Sequence, residues 1–482
     1  MPPPLRSGDG AGGGGEIRVA TNFRLVFFMQ FGNSIAPQGW RQLSLEDICL
    51  KITSGGTPNR KNPDFYNNGE ILWVKTKELN NYFIYDTEEK ITKDALNKSS
   101  AKLLPKDTIL LAMYGATVGE LGILSKEMAC NQACCALIIN PKIADFRFVF
   151  YLLKLYKENI KGLATGAAQQ NLSATTVKGF TFNFPPLVEQ QEIADFLFGI
   201  DDKIQLNTQT NQTLEHIAQA IYKSWFVEYE PTRAKAAVLA AGGNKEEAET
   251  AVMTAISGKN AAELAALAQN NPARYQQLAT LAQAFPAALV PTDNFGEIPE
   301  GWEVKKVGEI AKITKGKKPK NIYPSQESNL LPHILVAALE GKYTEFCETT
   351  KMTVSKITDT LILMDGSASG KIAIGHHGVV GSTLAKMELF DNKYWAVLYH
   401  FLKSNEKDIQ DNTTGTSIPH ADKARINDYS LSICDGYILD FYNQFFKKSL
   451  FQSIENRRQS YLLESIRDTL LPKLLSGELK QE

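Results

Sequence analysis

The chain has 482 residues, 43% hydrophobic and 22% charged, with a formal net charge of −1 and an isoelectric point near 6.6. That length exceeds one ordinary core and favours two or three domains of about 100 to 200 residues each, and the apolar and charged fractions are those of a globular chain, not a disordered or fibrous one. Near-neutral charge excludes attraction to nucleic acid through the overall field, so any DNA contact has to come from local basic clusters.

Residues 1–15 are rich in Pro and Gly, and residues 25–28 form a short apolar stretch behind Arg18 and Arg24. We expect residues 1–36 to be a disordered extension, with Met29 as an alternative start. No apolar run approaches the roughly 18 residues of a membrane span, so a cytoplasmic protein with no membrane partner is expected. The six cysteines lack paired CxxC spacing, which favours reduced, buried thiols over a disulfide or zinc framework.

Residues 37–186 open on Gly39-Trp40 and a short alternating stretch, followed by a polar loop from Ser54 to Pro63 whose Gly, Pro and Asn content forbids regular structure. Short apolar runs follow at residues 71–74, 108–111 and 136–139, and they predict buried strands of an irregular α+β domain. After Pro185-Pro186 the texture changes. Ile193, Ile200, Leu214 and Ile221 fall on one position of a heptad frame, and Leu197, Ile204, Ala218 and Trp225 on the other, which predicts a long spacer helix over 187–230. Asn207 and Asn211 interrupt this seam, where polar residues either fix register or mark a solvent-facing turn.

Residues 231–297 are Ala-rich and read as a connector of short helices. Residues 298–436 then repeat the first domain, residues 437–476 repeat the helix, and residues 477–482 form a tail. Gly301-Trp302 answers Gly39-Trp40, while Gly115 and Gly119 return as Gly366 and Gly370, an offset of 251 (366 − 115). Leu214, Ile217 and Ile221 return as Leu463, Ile466 and Leu470 at 249 (463 − 214). A period of half the chain marks a duplicated domain, not a solenoid. The expected fold class is therefore α+β: two similar domains separated by two long antiparallel coiled-coil helices, with approximate two-fold symmetry.

Catalytic patterns are isolated or incomplete. Residues 62–65 have the outline of an N-P-x-F methyltransferase motif, but no Gly-rich turn for S-adenosylmethionine accompanies it. Asp64 with Glu88-Glu89-Lys90 only loosely fits a metal-dependent nuclease. Residues 366–371 are one residue too short for a phosphate loop, and Ile372 stands where Ser or Thr is needed; a turn between strands explains them better. His376-His377 has no metal-ligand spacing around it. What remains suits polyanion contact: Asn59, Arg60, Lys61, Lys75 and Lys77 in the first copy, and Lys312, Lys315, Lys317, Lys318 and Lys320 in the second, since Lys and Arg neutralise phosphates while Asn and Arg also read base edges.

The segment Thr165-Gly166-Ala167-Ala168-Gln169-Gln170-Asn171-Leu172, then Pro185-Pro186-Leu187-Val188-Glu189-Gln190 and the helix, resembles the end of a target recognition domain in Type I restriction-modification specificity subunits. Gly39-Trp40, Ser54-Gly55-Gly56-Thr57-Pro58 and Trp73-Val74-Lys75-Thr76 fit the same family, and the second copy fits its second domain more weakly, with Cys434-Asp435-Gly436 in place of Pro-Pro-Leu. The resemblance implies a non-catalytic subunit. Each recognition domain would read half of a split double-stranded DNA target, with the paired helices acting as ruler and dock for two adenine methyltransferase (M) subunits, and restriction (R) subunits joining later. No cofactor would bind this chain; S-adenosylmethionine, ATP and Mg²⁺ would belong to the partners. Thr57, Tyr114, Gln169, Gln170 and Asn171 would then lie near the DNA-facing surface, and Trp73 would either join them or be buried beneath. Alternatives are the recognition subunit of a bifunctional enzyme that cuts on both sides of a split site, or a self-sufficient methyltransferase or nuclease.

Overall fold

The computed structural model describes residues 29–31, 36–80, 82–165, 171–415 and 418–479. The chain divides into two compact units, Met1–Phe198 with Asp468–Glu482, and Gly199–Arg467.

The first unit is built on a five-stranded sheet in the order Cys49–Ser54, Cys134–Ile139, Ile109–Ala112, Leu121–Leu124, Phe83–Ile84, antiparallel except for its last pair. Every residue of Ile109–Ala112 is buried, which is why this strand reads as a continuous apolar run and not an alternating one. A smaller sheet joins Lys90–Ile91, Ile71–Val74 and Ala129–Cys130, and Arg41–Ser44 pairs antiparallel with Phe180–Phe184. The core closes with the helix Phe146–Leu155, with Ile193, Ala194, Leu197 and Phe198, and with Leu471, Leu474 and Leu475.

The second unit repeats this plan. Ala311–Lys315, Leu384–Leu389, Leu361–Leu363 and Ile372–Ala373 form its main sheet, and Glu303–Lys306 pairs antiparallel with Ser430–Ile433. The strand Leu331–Ile334 is followed by a 3₁₀ turn, Val336–Glu340. Residues 366–371 do form the turn between Leu361–Leu363 and Ile372–Ala373. Four helices, Glu230–Ala240, Lys245–Ser257, Ala261–Asn270 and Pro272–Ala284, and the hairpin Leu289–Thr292/Gly296–Pro299 lie between the first long helix and the repeat. Lys235 is buried here, its Nζ donating to Ala282 O, Gln283 O and Phe285 O and so capping the last of these helices.

The two long helices are Leu187–Tyr222 and Tyr437–Ser476. The first begins in the first unit and ends in the second; the other does the reverse. The first terminates in a π turn, Lys223–Val227, and at Tyr229, whose φ of 54° turns the chain out of the helix. Trp302 packs there against Phe226 and Tyr229. Within the second unit the helices run antiparallel, as Asp201 meets Arg467 at 2.5 Å and Asn207 meets Asn456 and Ser460. Asn207 is 2% exposed, so the middle of the seam is a buried polar contact and not a frayed turn. Ile193, Leu197 and Ile200 are buried, whereas Ile204, Leu214, Ile221, Leu463 and Leu470 are half-buried and Ile466 is exposed. The heptad frame thus overstates the seam's apolar continuity, because Asn207, Asn211 and Asn456 occupy its centre.

Candidate nucleic-acid interface

In the first unit, strand Cys49–Ser54 runs into Gly55-Gly56, which nest against backbone. A Cβ on Gly55 would lie 2.2 Å from Cys130 O, and one on Gly56 2.2 Å from the Ser100 carbonyl carbon. Trp73 lies beneath the loop with 1% exposure, its Nε1 donating to Gly56 O at 3.0 Å. Trp73 is therefore the floor of the loop and does not face DNA. Arg60 lies 4.7 Å over both the Tyr66 and the Trp73 ring and pairs with Glu89. Lys75 bridges Glu88 at 2.7 Å and Glu89 at 2.6 Å, and Lys77 joins Glu88. The hydrogen bonds from Lys75 and Lys77 hold the Glu88 carboxyl down to about 2, so these cations form a charge-compensated cluster, three against two, and not a bare basic strip. Thr57 donates to Gln132, Asn59 accepts from the Lys61 backbone N–H, and the Lys61 side chain stays exposed.

The second unit seats its loop identically. A Cβ on Gly316 would lie 2.2 Å from Gly381 O and 2.3 Å from Val380 O. His333 occupies the place of Trp73: each donates its backbone N–H to a glutamate carbonyl, Glu89 or Glu345, and His333 Nδ1 lies 2.8 Å from Glu345 Oε2. Lys315 pairs with Asp365 at 2.8 Å. Lys312, Lys317, Lys318 and Lys320 are exposed, and among the described residues none has a carboxylate within ion-pair distance.

Tyr114, 37% exposed, and Asn171 meet in an isolated backbone bridge. Gln169 and Gln170 lie outside the described residues. The structure adds Gln132, Asp365 and His420 as candidates beside these loops; the last two sit at the repeat offsets of Tyr114 and Asn171, the pointer that the sequence offered. Burial pushes the Cys135 and Cys434 thiols up to about 12, far from nucleophilic range. Among the described residues no group of three His, Cys, Asp or Glu side chains converges as metal ligands, and no helix is long and apolar enough to cross a membrane.

A duplicated α+β scaffold with divergent polar loops seated on the same glycine is a recognition architecture. The profile of the Type I restriction modification DNA specificity domain matches residues 37–216 and 299–453, so the chain belongs to that family and is a DNA-specificity subunit, not a catalytic one. It is 30% identical to the Type I restriction enzyme HindI specificity subunit of Haemophilus influenzae over 91% of this chain and 99% of that one. It is 25% identical to the MjaIX specificity subunit of Methanocaldococcus jannaschii over 92% and 95%. In fold it is similar to the crystal structure of the Type I restriction-modification S subunit from M. genitalium, with a TM-score of 0.55, 17% identity and coverage of 92% and 97%. Residues 217–298, which hold the helical connector, fall between the two matched stretches.

Proposed function

We propose that residues 37–186 and 298–436 are the two target recognition domains, each reading one half of a bipartite, asymmetric DNA sequence, and that the long helices set the spacer between them. The carrying observation is that the two domains share their framework down to the buried loop glycines, Gly55 and Gly316, while the exposed side chains on that framework differ. Two scaffolds of one shape with two surfaces suit two different half-sequences. The helices dock two M subunits, which use S-adenosylmethionine, and R subunits using ATP and Mg²⁺ join that assembly in the cytoplasm. Lys61, Lys317, Lys318 and Lys320 supply phosphate contacts, while the Arg60, Lys75 and Lys77 cluster contributes a weak positive field.

The test is co-expression with the methyltransferase subunit of the same system, followed by genome-wide mapping of methylated bases. A split motif is expected, and replacing residues 37–186 with the corresponding domain of another such subunit should change one half only. Methyl transfer by the purified chain alone, or a contiguous motif, would overturn the reading.

A further inference from the structure

The two units carry the same isolated backbone bridge at the same place, with different side chains on it. In the first unit Tyr114 bridges Asn171, and beside them the Leu172 N–H donates to Met113 O at 3.0 Å. In the second, Asp365 bridges His420, and the Ala421 N–H donates to Met364 O at 2.9 Å. The residue numbers keep the repeat offsets of 251 (365 − 114) and 249 (420 − 171). A scaffold position held by backbone bonds can change its side chains without disturbing the core, and here it has.

The chemistry of the second pair is specific. Asp365 Oδ1 lies 2.8 Å from His420 Nδ1 and Oδ2 lies 2.8 Å from Lys315 Nζ. Burial alone would raise the Asp365 carboxyl, yet Lys315 and His420 together hold it below its ordinary value, so it is ionised and only accepts. An ionised carboxylate cannot donate, so Nδ1 carries the hydrogen of this contact and Nε2 is left for a further hydrogen bond, beside carboxylate oxygens that can only accept. The His420 side chain is 49% exposed.

We propose that Asp365 and His420 form a base-reading site of the second domain that takes a base with an exocyclic amino group, adenine or cytosine, with Lys315 positioning the carboxylate. In the major groove adenine N6 and cytosine N4 offer donors to such a pair. Guanine O6 and N7 and thymine O4 present acceptors and are repelled by it. Tyr114 and Asn171 carry groups that can both donate and accept, so the same position of the first domain reads a different edge. The inference rests on the reading of one half-target per domain.

The experiment maps methylation by the full chain with its methyltransferase subunit, for the wild type and for D365N, H420A, Y114F/N171A and the transplant D365Y/H420N, after thermal melting has established which variants fold. In D365N and H420A one adenine or cytosine position of one half should become degenerate, with discrimination there falling roughly 10- to 100-fold. Every other position should stay fixed, while Y114F/N171A should alter only the other half. The transplant, which reuses a pair already compatible with this bridge, should change the same position as D365N. An unchanged motif in folded variants overturns the proposal while leaving the half-target reading intact, as does a uniform loss of methylation at every sequence, the mark of a backbone contact. Failure of the wild type to direct methylation to any split motif would instead sink the underlying reading.

Discussion

Asn207 and Asn456 stand 249 residues apart, at equivalent positions of the duplicated helix, and hydrogen-bond across the antiparallel pair, with Asn207 Nδ2 3.3 Å from Asn456 O. The contact is isologous in outline. Asn207 also reaches Ser460 Oγ at 3.3 Å, while Asn456 donates to Asn211 Oδ1 at 2.9 Å, and Ser460 is the repeat partner of Asn211 (460 − 211 = 249). Each copy of the helix thus offers the other the same surface, as a two-fold interface requires. Equivalence fades away from the crossing: the ion pair of Asp201 and Arg467 answers to Leu450 and Ala218, both buried and apolar.

A buried polar crossing of this kind specifies register at some cost in stability. Asn207→Leu removes the donor to the Ser460 hydroxyl and the second donor to the helical backbone carbonyl of Asn456, and should lower stability by about 1 to 3 kcal/mol. Adding Asn456→Leu restores a matched apolar contact, so the double variant should fall less than the sum of the single losses. Urea unfolding of the four proteins of this cycle measures the coupling. Additivity within about 0.3 kcal/mol would mean that the two residues act independently.

The seats of Gly55 and Gly316 predict that one substitution has one effect in both domains. Neither needs a left-handed backbone; what excludes a side chain is carbonyl oxygen 2.2 Å from the Cβ position. Backbone cannot swing aside as a side chain can, so Gly55→Ala and Gly316→Ala should each cost about 1 to 3 kcal/mol or more. Gly115→Ala is the contrast: its φ is +69° but nothing lies within 4 Å, so only the left-handed strain, about 1 to 2 kcal/mol, applies. Melting curves indistinguishable from wild type for both alanine variants at positions 55 and 316 would contradict this packing.

His376 and His400 should make the second unit acid-sensitive. Burial brings both imidazoles down to about 3, with Arg457 beside His376 acting in the same direction. An unfolded histidine takes up a proton near pH 6.5, as the model compounds do. Between these values the unfolded chain binds more protons than the folded one, so the contribution to stability is fully present above about pH 6.5 and is lost as pH falls toward 3. The slope should be on the order of 1 kcal/mol per pH unit for each group. Carboxylates such as Glu88 titrate lower, so the difference between wild type and His376→Gln/His400→Gln isolates the histidines. If urea midpoints at pH 7 and pH 5 differ equally in the two proteins, the histidines are not responsible.

The duplication, the long helices and the glycine loops were legible because they are patterns of spacing, which survive in one dimension. Side-chain pairing was not. Glu88 and Glu89 looked like fragments of a nuclease site, yet sheet pairing of Ile71–Val74 with Lys90–Ile91 brings them to Lys75, Lys77 and Arg60. Trp73 was as consistent with burial as with a DNA-facing surface, and the bond from its indole N–H to Gly56 O holds it inside. Asn207 looked like a break in the seam because its partner lies 249 residues away. In each case a residue's role was set by a neighbour that only the fold supplies.

The crossing also defines how the spacer can be altered cleanly. Asp201 opposes Arg467 and Asn207 opposes Ser460, so Ile204 and Leu463 stand at one level of the antiparallel pair. Four helix-forming residues inserted after each would lengthen both helices by about 6 Å at 1.5 Å per residue, against about 3.4 Å per base pair of DNA. If the helices are the ruler, the methylated motif should gain about two unspecified base pairs, with both half-sequences unchanged. Insertion after Ile204 alone slides Asn207 past Asn456 and Ser460 and should abolish methylation instead of lengthening the spacer. Sequencing of methylated genomic DNA distinguishes these outcomes, and an altered half-sequence or an unaltered spacer in the paired insertion would show that something other than the helices sets the distance.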